Sequence, residues 1–271
     1  SSLLNRLCGF ERAIVSATPG TTRDALDVSV KLGELSVLLI DTAGIRRPTR
    51  VEGDLERHSV GRAIATIRRA DVVVLVIDAT EGITDQDARL ARLVDSNGRA
   101  LVLVCNKWDV AAKLGRRIAA FVRDANERFP FLGYATTVFT SALTGDGVAE
   151  VLPAALKAGQ SWRGQFQTSL LNRVLAAASA AMDPPLVHGK RLNLMYVTQV
   201  ATSPPRLAFF SNLDRDIPAH YPRFLESRFR RALNLAGTPL RLEFRRTGGD
   251  RASTFRPRPR DAGPPRDRGR R

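Results

Sequence analysis

Over the first 160 positions, continuous apolar runs alternate with amphipathic stretches. "LSVLLIDTAG" (35–44) reads as a β-rich run ending in a polar Gly turn, "ADVVVLVIDAT" (70–80) and "RALVLVCNKWD" (99–109) as buried strands, and "ATTVFTSAL" (135–143) as a fourth strand. Between and after them, apolar residues recur at helical spacing over 56–69, 85–97, 111–128 and 146–158. Strands apolar on both faces and separated by helices predict an α/β fold, with a mostly parallel sheet covered on both sides. Ligands of such sheets bind beyond the carboxyl ends of the strands. The polar turns fall at that edge.

The pattern changes near residue 160. "SLLNRVLAAASAAM" (169–182) predicts a helix, halted by Pro184 and Pro185 because proline lacks the N–H and clashes with the preceding turn. Two strands, "LNLMYVTQV" (192–200) and "RLAFFSN" (206–212), then precede an amphipathic helix at 221–233 and a strand, "PLRLEFR", at 239–245. The order α-β-β-α-β describes a second, small α+β unit. Beyond 250 the chain is rich in Arg, Pro and Gly with Phe255 as its one aromatic, a composition too polar to bury a core. The reading is therefore three parts: 1–160, 161–250 and a disordered basic tail at 251–271. "SLLNR" occurs at both 2–6 and 169–173, but the flanks diverge at once, so the two are independent helix starts.

Charge sharpens the division. The formal net charge is +15 over 271 residues. Residues 1–160 hold 21 Lys/Arg against 19 Asp/Glu, 161–250 hold 13 against 6, and 251–271 hold 8 against 2. A basic excess confined to the second unit and the tail suits a polyanionic partner, nucleic acid above all; a solvated basic surface is the plainer alternative. No apolar run approaches the ~18 residues that span a bilayer, so no membrane is expected. Cys8 and Cys105 read as small apolar filler in a reduced, cytoplasmic protein.

The turns carry the chemistry. In "NKWD" (106–109), a carboxylate at Asp109 accepts from the N1–H and N2 amine of guanine, whereas adenine would leave it unpaired. Asn106 braces the loops and meets the base, and the stem of Lys107 covers its face. In "DTAG" (41–44), Asp41 at a strand tip suits Mg²⁺ held through water, and Gly44 lets the backbone approach a terminal phosphate. In "PGTTRD" (19–24) a threonine hydroxyl can join the metal, Thr22 in preference to Thr21. Ser141, Ala142 and Leu143 in "TSAL" would lie under the base, with a backbone N–H toward the guanine oxygen. Each stretch alone is an ordinary polar turn; their order gives them weight. A phosphate loop reads G-x-x-x-x-G-K-[ST] and runs into a helix. "SSLLNRL" (1–7) fits the stretch just after the Lys of such a loop. Ser1 then reads as the hydroxyl at the metal, Ser2 to Leu7 as the helix start, and the chain as cut inside that loop.

Residues 1 to about 250 resemble the Der (EngA) family of bacterial ribosome-assembly GTPases. The resemblance rests on "SSLLNRL", "PGTTRD", "DTAGIRR", "NKWD" and "RLNLMYVTQVATSPPRLAFFSN". It implies a P-loop GTPase domain, the second of a tandem pair, followed by a KH-like domain. It also implies GTP binding and hydrolysis, Mg²⁺, help from K⁺, and action on the large ribosomal subunit and its RNA, with no DNA expected. The nucleotide-facing set is Ser1, Ser2, Thr21, Thr22, Asp41, Thr42, Ala43, Gly44, Ile45, Asn106, Lys107, Asp109, Ser141, Ala142 and Leu143, with Ser1, Thr22 and Asp41 at the metal.

Two departures stand out. Ile45 follows "DTAG" where many small GTPases place a water-orienting Gln, so no side-chain base is evident. Residues 161–250 lack the G-x-x-G clamp of ordinary KH domains, and neither "HGKR" (188–191) nor Gly248-Gly249 supplies it. RNA contact should then lean on Arg and Lys. His58 and "RRPTR" (46–50) read as solvated surface, Met182 and Met195 as gap-fillers, and Phe209 and Phe210 as core with one edge residue. The rival function is a non-catalytic assembly protein whose first unit only senses guanine nucleotide; a metabolic nucleotide enzyme is weaker, for want of a second substrate pocket.

Overall fold

The computed structural model describes residues 2–9, 27–32, 34–40, 54–247 and 252–255. Helix α1 (Ser2–Gly9) is followed by a hairpin of β1 (Val28–Leu32) and β2 (Leu35–Leu39), paired antiparallel. Then come α2 (Asp54–Arg69), β3 (Val72–Asp78), α3 (Asp85–Ser96), β4 (Ala100–Asn106), α4 (Trp108–Lys113), α5 (Ile118–Arg128), β5 (Thr136–Phe139) and α6 (Val151–Trp162). Strands β3, β4 and β5 form a parallel sheet in that order.

The central strand β4 explains the continuous apolar run. Its alternate residues serve two different cores. Leu101, Leu103 and Cys105 join Ile77, Val94, Phe121 and Phe129. Ala100, Val102 and Val104 join Leu7, Val138, Val151 and Trp162 on the other face. With both faces filled, only the strand tips remain for polar chemistry.

The expected single helix over 111–128 is two. Gly115 takes a left-handed φ of +81° between α4 and α5, which ends a helix at little cost for glycine alone. Leu114 and Ile118, which extended the apparent apolar stripe, are exposed. The helix expected from 146 begins instead with a 3₁₀ turn at Val148–Glu150.

The second unit contains α7 (Thr168–Ala181), a small hairpin of β6 (Leu186–Val187) and β7 (Lys190–Arg191), β8 (Leu194–Ala201), β9 (Arg206–Ser211), α8 (His220–Ala232), β10 (Arg241–Arg246) and β11 (Ala252–Phe255). The sheet order is β11-β10-β9-β8, with β9 and β10 parallel across the α8 crossover. "HGKR" is a hairpin corner: His188 and Gly189 both take positive φ, the signature of a two-residue turn. Residues 252–255, expected in the disordered tail, instead pair antiparallel with β10. A β-prone Ser-Thr-Phe run there meets an otherwise open strand edge.

The two units are clamped together. Leu101 N–H donates to Gly237 O at 2.7 Å, and Gly237 N–H donates to Tyr134 O at 2.9 Å. Arg241 Nη2 reaches Asp95 Oδ1 at 3.0 Å. A Cβ on Gly237 would lie 2.5 Å from Ala158 Cβ, so glycine permits the approach.

Candidate functional site

The carboxyl ends of β3, β4 and β5 bring three loops together. Asn106 closes β4, and Lys107 after it takes a left-handed conformation, φ 61° and ψ 33°, that starts α4 and places Asp109 in its first turn. The Asn106 side chain is a brace. Its Oδ1 accepts from Ala142 N–H at 3.0 Å and Thr140 Oγ1 at 3.3 Å. Trp108 N–H adds a bond to Thr140 O at 3.0 Å, fixing the β4 loop to the β5 loop.

The loop after β5 is built on itself. Ser141 Oγ accepts from Thr144 N–H at 3.1 Å, and Ser141 N–H donates to Asp146 O at 2.9 Å. Gly147 turns the chain back at φ +67°, where a Cβ would meet Phe139 O at 2.1 Å. Ser141 and Ala142 are buried, and Leu143 is exposed. Their carbonyls are also held from α1: Arg6 Nε donates to Ala142 O at 3.2 Å and its Nη2 to Leu143 O at 2.6 Å.

Lys107 is tied to the tip of β3. Its Nζ lies 2.6 Å from Asp78 Oδ2. Asp78 Oδ1 in turn accepts from Thr80 N–H at 3.0 Å and Thr80 Oγ1 at 2.6 Å. Burial pushes the Asp78 carboxyl up, but the bonds from Lys107 and Thr80 and the Lys107 charge outweigh it and hold the group below its usual value. Sequence reasoning missed Asp78, Thr80 and Arg6. The signal was present for Asp78, an acidic residue at a strand tip in "VVVLVIDAT", the same position that singled out Asp41.

Asp109 is half-buried, and among the described residues its carboxylate accepts no hydrogen bond. Thus Asn106, Lys107, Asp109, Ser141, Ala142 and Leu143 gather at one sheet edge. Ala142 N–H is engaged by Asn106, so a ligand oxygen there would share or replace that bond. Ser1, Thr21, Thr22, Asp41, Thr42, Ala43, Gly44 and Ile45 lie outside the described residues, as do "RRPTR" and Gly248-Gly249. Ser2 begins α1, but its side chain, like those of Cys8 and His58, is not described. Among the described residues no cluster of three or more His, Cys, Asp or Glu is placed to hold a metal. Cys105 is buried, which raises its thiol to about 12, and no described helix is long and apolar enough to cross a membrane.

A cavity of 690 Å³ lies elsewhere, at the junction of the two units, lined by Asp95, Tyr134, Glu226, Arg230, Arg231 and Arg241 among others. It contains none of the motif residues. Its two carboxylates are already paired, Asp95 with Arg241 and Glu226 with Arg230.

Met182 and Met195, expected as core filler, are exposed at 37% and 50%. Met195 occupies an irregularity in the β8–β9 register, which turns it out of the alternation. Phe209 is core, and Phe210 lies on the opposite face.

Two family models match parts of this chain. A family model described as 50S ribosome-binding GTPase matches residues 1–107. A second, the KH-domain-like region of EngA bacterial GTPase enzymes, C-terminal, matches 165–245. GTPase Der of Moorella thermoacetica is 42% identical over 246 residues, 91% of this chain and 56% of its own length. GTPase Der of Symbiobacterium thermophilum is 44% identical over 245 residues, 90% of this chain and 52% of its own. The chain therefore spans about half the length of the curated relatives it matches. Among solved structures, Era in complex with MgGDPNP and nucleotides 1506–1542 of 16S ribosomal RNA aligns over 91% of this chain and 88% of its own, at 22% identity and a TM-score of 0.45.

Proposed function

The chain belongs to the GTPase Der family, and from that membership we propose that it forms the guanine-nucleotide-binding and RNA-facing part of a GTP-hydrolysing switch that acts on the ribosome. The observation that supports the base assignment is the half-buried Asp109 carboxylate, without a described partner, beside a braced Asn106. Two donors on guanine fit such an acceptor, and adenine has none to offer there.

In this reading the residues divide the work. Asn106 holds the two base-side loops at fixed separation, Lys107 stays anchored by Asp78 with its stem toward the base, and Asp109 selects guanine. Ser141 and Ala142 form the floor, and Arg6 ties that floor to the helix after the phosphate loop. The hydroxyls of Ser1 and Thr22 and, through water, the Asp41 carboxylate are hard oxygen donors of the kind Mg²⁺ takes. Bound there, the ion would neutralise charge on the β- and γ-phosphates. Ile45 cannot orient water, so the attacking water would be positioned by something other than that side chain; K⁺ is the group the family resemblance implies for that task. The domain limits we adopt are 1–160 for the GTPase unit and 161–250 for the KH-like unit, in a cytoplasmic protein whose target is the large subunit and its RNA.

A purely binding role without turnover is the rival. The two separate in a protein that carries this chain with a complete phosphate loop. We expect multiple-turnover GTP hydrolysis that Asp109→Asn abolishes at substrate concentrations near the wild-type KM. Ribosome binding without any turnover in the wild-type protein would favour the rival.

A further inference from the structure

Among the described residues, the second sheet is covered by helices on one face only. Val197, Leu207, Phe209, Leu242 and Phe244 point into the core with α7 and α8. On the other face the register aligns Tyr196 with Phe210 and Phe210 with Arg245, a row across β8, β9 and β10. The Tyr196 and Phe210 rings stack with centroids 4.4 Å apart and planes 11° from parallel. The Arg245 guanidinium lies 6.0 Å from the Phe210 centroid. Tyr196 is 42% exposed, and β8 is the sheet's edge strand, so the row ends in an accessible aromatic ring.

A buried carboxylate organises the charge beside this row. Glu243 is 2% exposed and holds Arg245 Nη2 at 2.9 Å and Arg206 Nε at 3.2 Å. It fixes two guanidinium groups on the face while cancelling only one of their charges. An aromatic stack that ends in an exposed ring, with fixed guanidinium groups on the same face and in a unit with 13 Lys/Arg against 6 Asp/Glu, has the two components that hold single-stranded nucleic acid: a flat surface for a base and positive charge for the backbone. Duplex RNA buries its base faces in its own stack and gains little from such a ring.

We propose that this open face is a stacking platform for single-stranded RNA, on which an unpaired base continues the Arg245–Phe210–Tyr196 row. This inference rests on the reading that the chain binds ribosomal RNA. It names the face that does so in a unit without a G-x-x-G clamp.

The test uses the 271-residue chain and a labelled single-stranded RNA of about 12 nucleotides, followed by fluorescence anisotropy. Tyr196→Ala should weaken binding roughly 5- to 150-fold, the range for losing one stacked base. Tyr196→Phe, which keeps the ring, should retain wild-type affinity, whereas Tyr196→Leu, which keeps apolar bulk alone, should fall with the alanine variant. The slope of log K against log salt should stay unchanged in all three, because no charge is removed. A duplex of the same sequence should bind wild type and Tyr196→Ala alike. Wild-type affinity for the single strand in Tyr196→Ala would overturn the platform, leave RNA binding by the chain intact, and assign the exposed ring to a protein contact. Failure of the wild-type chain to bind any ribosomal RNA would instead remove the underlying reading.

Discussion

In β4 of the first sheet, neighbours Leu101 and Val102 are both fully buried; in β8 of the second, Val197 is buried while Tyr196 beside it is 42% exposed. The first sheet uses both faces for packing, so its polar side chains stand at the strand tips, where Asp78, Asn106 and the 140–147 loop meet. The second sheet packs one face and leaves the other for Tyr196, Phe210, Arg206 and Arg245. Chemistry sits where packing leaves room: at an edge when both faces are filled, on a face when one is spare. The same contrast predicts different mutational behaviour in the two units.

The largest effect should come from crossing the second sheet from its packed side to its open side. Phe209 is fully buried and makes ring contacts with Phe229 and Phe244. Phe209→Ala should cost about 3–5 kcal/mol in chemical denaturation, whereas Tyr196→Ala should stay within about 0.5 kcal/mol of wild type. Equal losses would mean that both faces are packed.

At the tips of the first sheet, Gly147→Ala meets both a positive φ of +67° and the Phe139 carbonyl 2.1 Å from the added carbon. The left-handed backbone alone costs about 1–2 kcal/mol, and relief of the collision adds to it. Thermal unfolding should register the loss, and the 140–147 amides should lose hydrogen-exchange protection. The control, Gly189→Ala, has open space around its Cβ at φ +76° and should show the backbone cost alone.

The smallest effect is one of pH. The folded Asp78 carboxyl lies below its usual value of 3.8, so its ionised form is favoured by folding. That contribution is complete at neutral pH and above the unfolded value, and it is lost as pH falls through the lower folded value. Wild type should therefore lose stability more steeply than Asp78→Asn as pH drops below about 4. Parallel acid limbs for the two proteins would mean that the Lys107–Asp78 contact contributes nothing.

Much of this was legible in the sequence, and the misses have physical causes. Three of the four apolar runs of the first unit announced a buried sheet, because β4 faces two cores. The fourth, 35–44, instead gave β2 of an antiparallel hairpin with Leu35 and Leu38 exposed. "NKWD" and "TSAL" stood out because a polar cluster ending a buried run must lie at its tip. The α4–α5 break was hidden because Leu114 and Ile118 continued the helical spacing while pointing outward, although Gly115 between them was a visible stop. The β6–β7 hairpin, two residues per strand, was too short to show alternation, and its His-Gly corner was the only cue. The strand at 252–255 depends on an open edge of β10 that no local pattern reveals. Nothing in "PLRLEFR" marks Glu243 or Arg245; only the register shows Glu243 buried between two arginines and Arg245 beside an aromatic stack.

The central claim, that the tips of the first sheet select guanine through Asp109, is tested most directly by exchanging the base. In a protein carrying this chain with a complete phosphate loop, titration with fluorescent nucleoside diphosphates should show Asp109→Asn losing affinity for guanosine diphosphate and gaining it for xanthosine diphosphate. The amide offers a donor to the xanthine carbonyl where the carboxylate offered an acceptor to guanine. An Asp109→Asn protein that keeps its preference for guanosine diphosphate would place the base somewhere other than these strand tips.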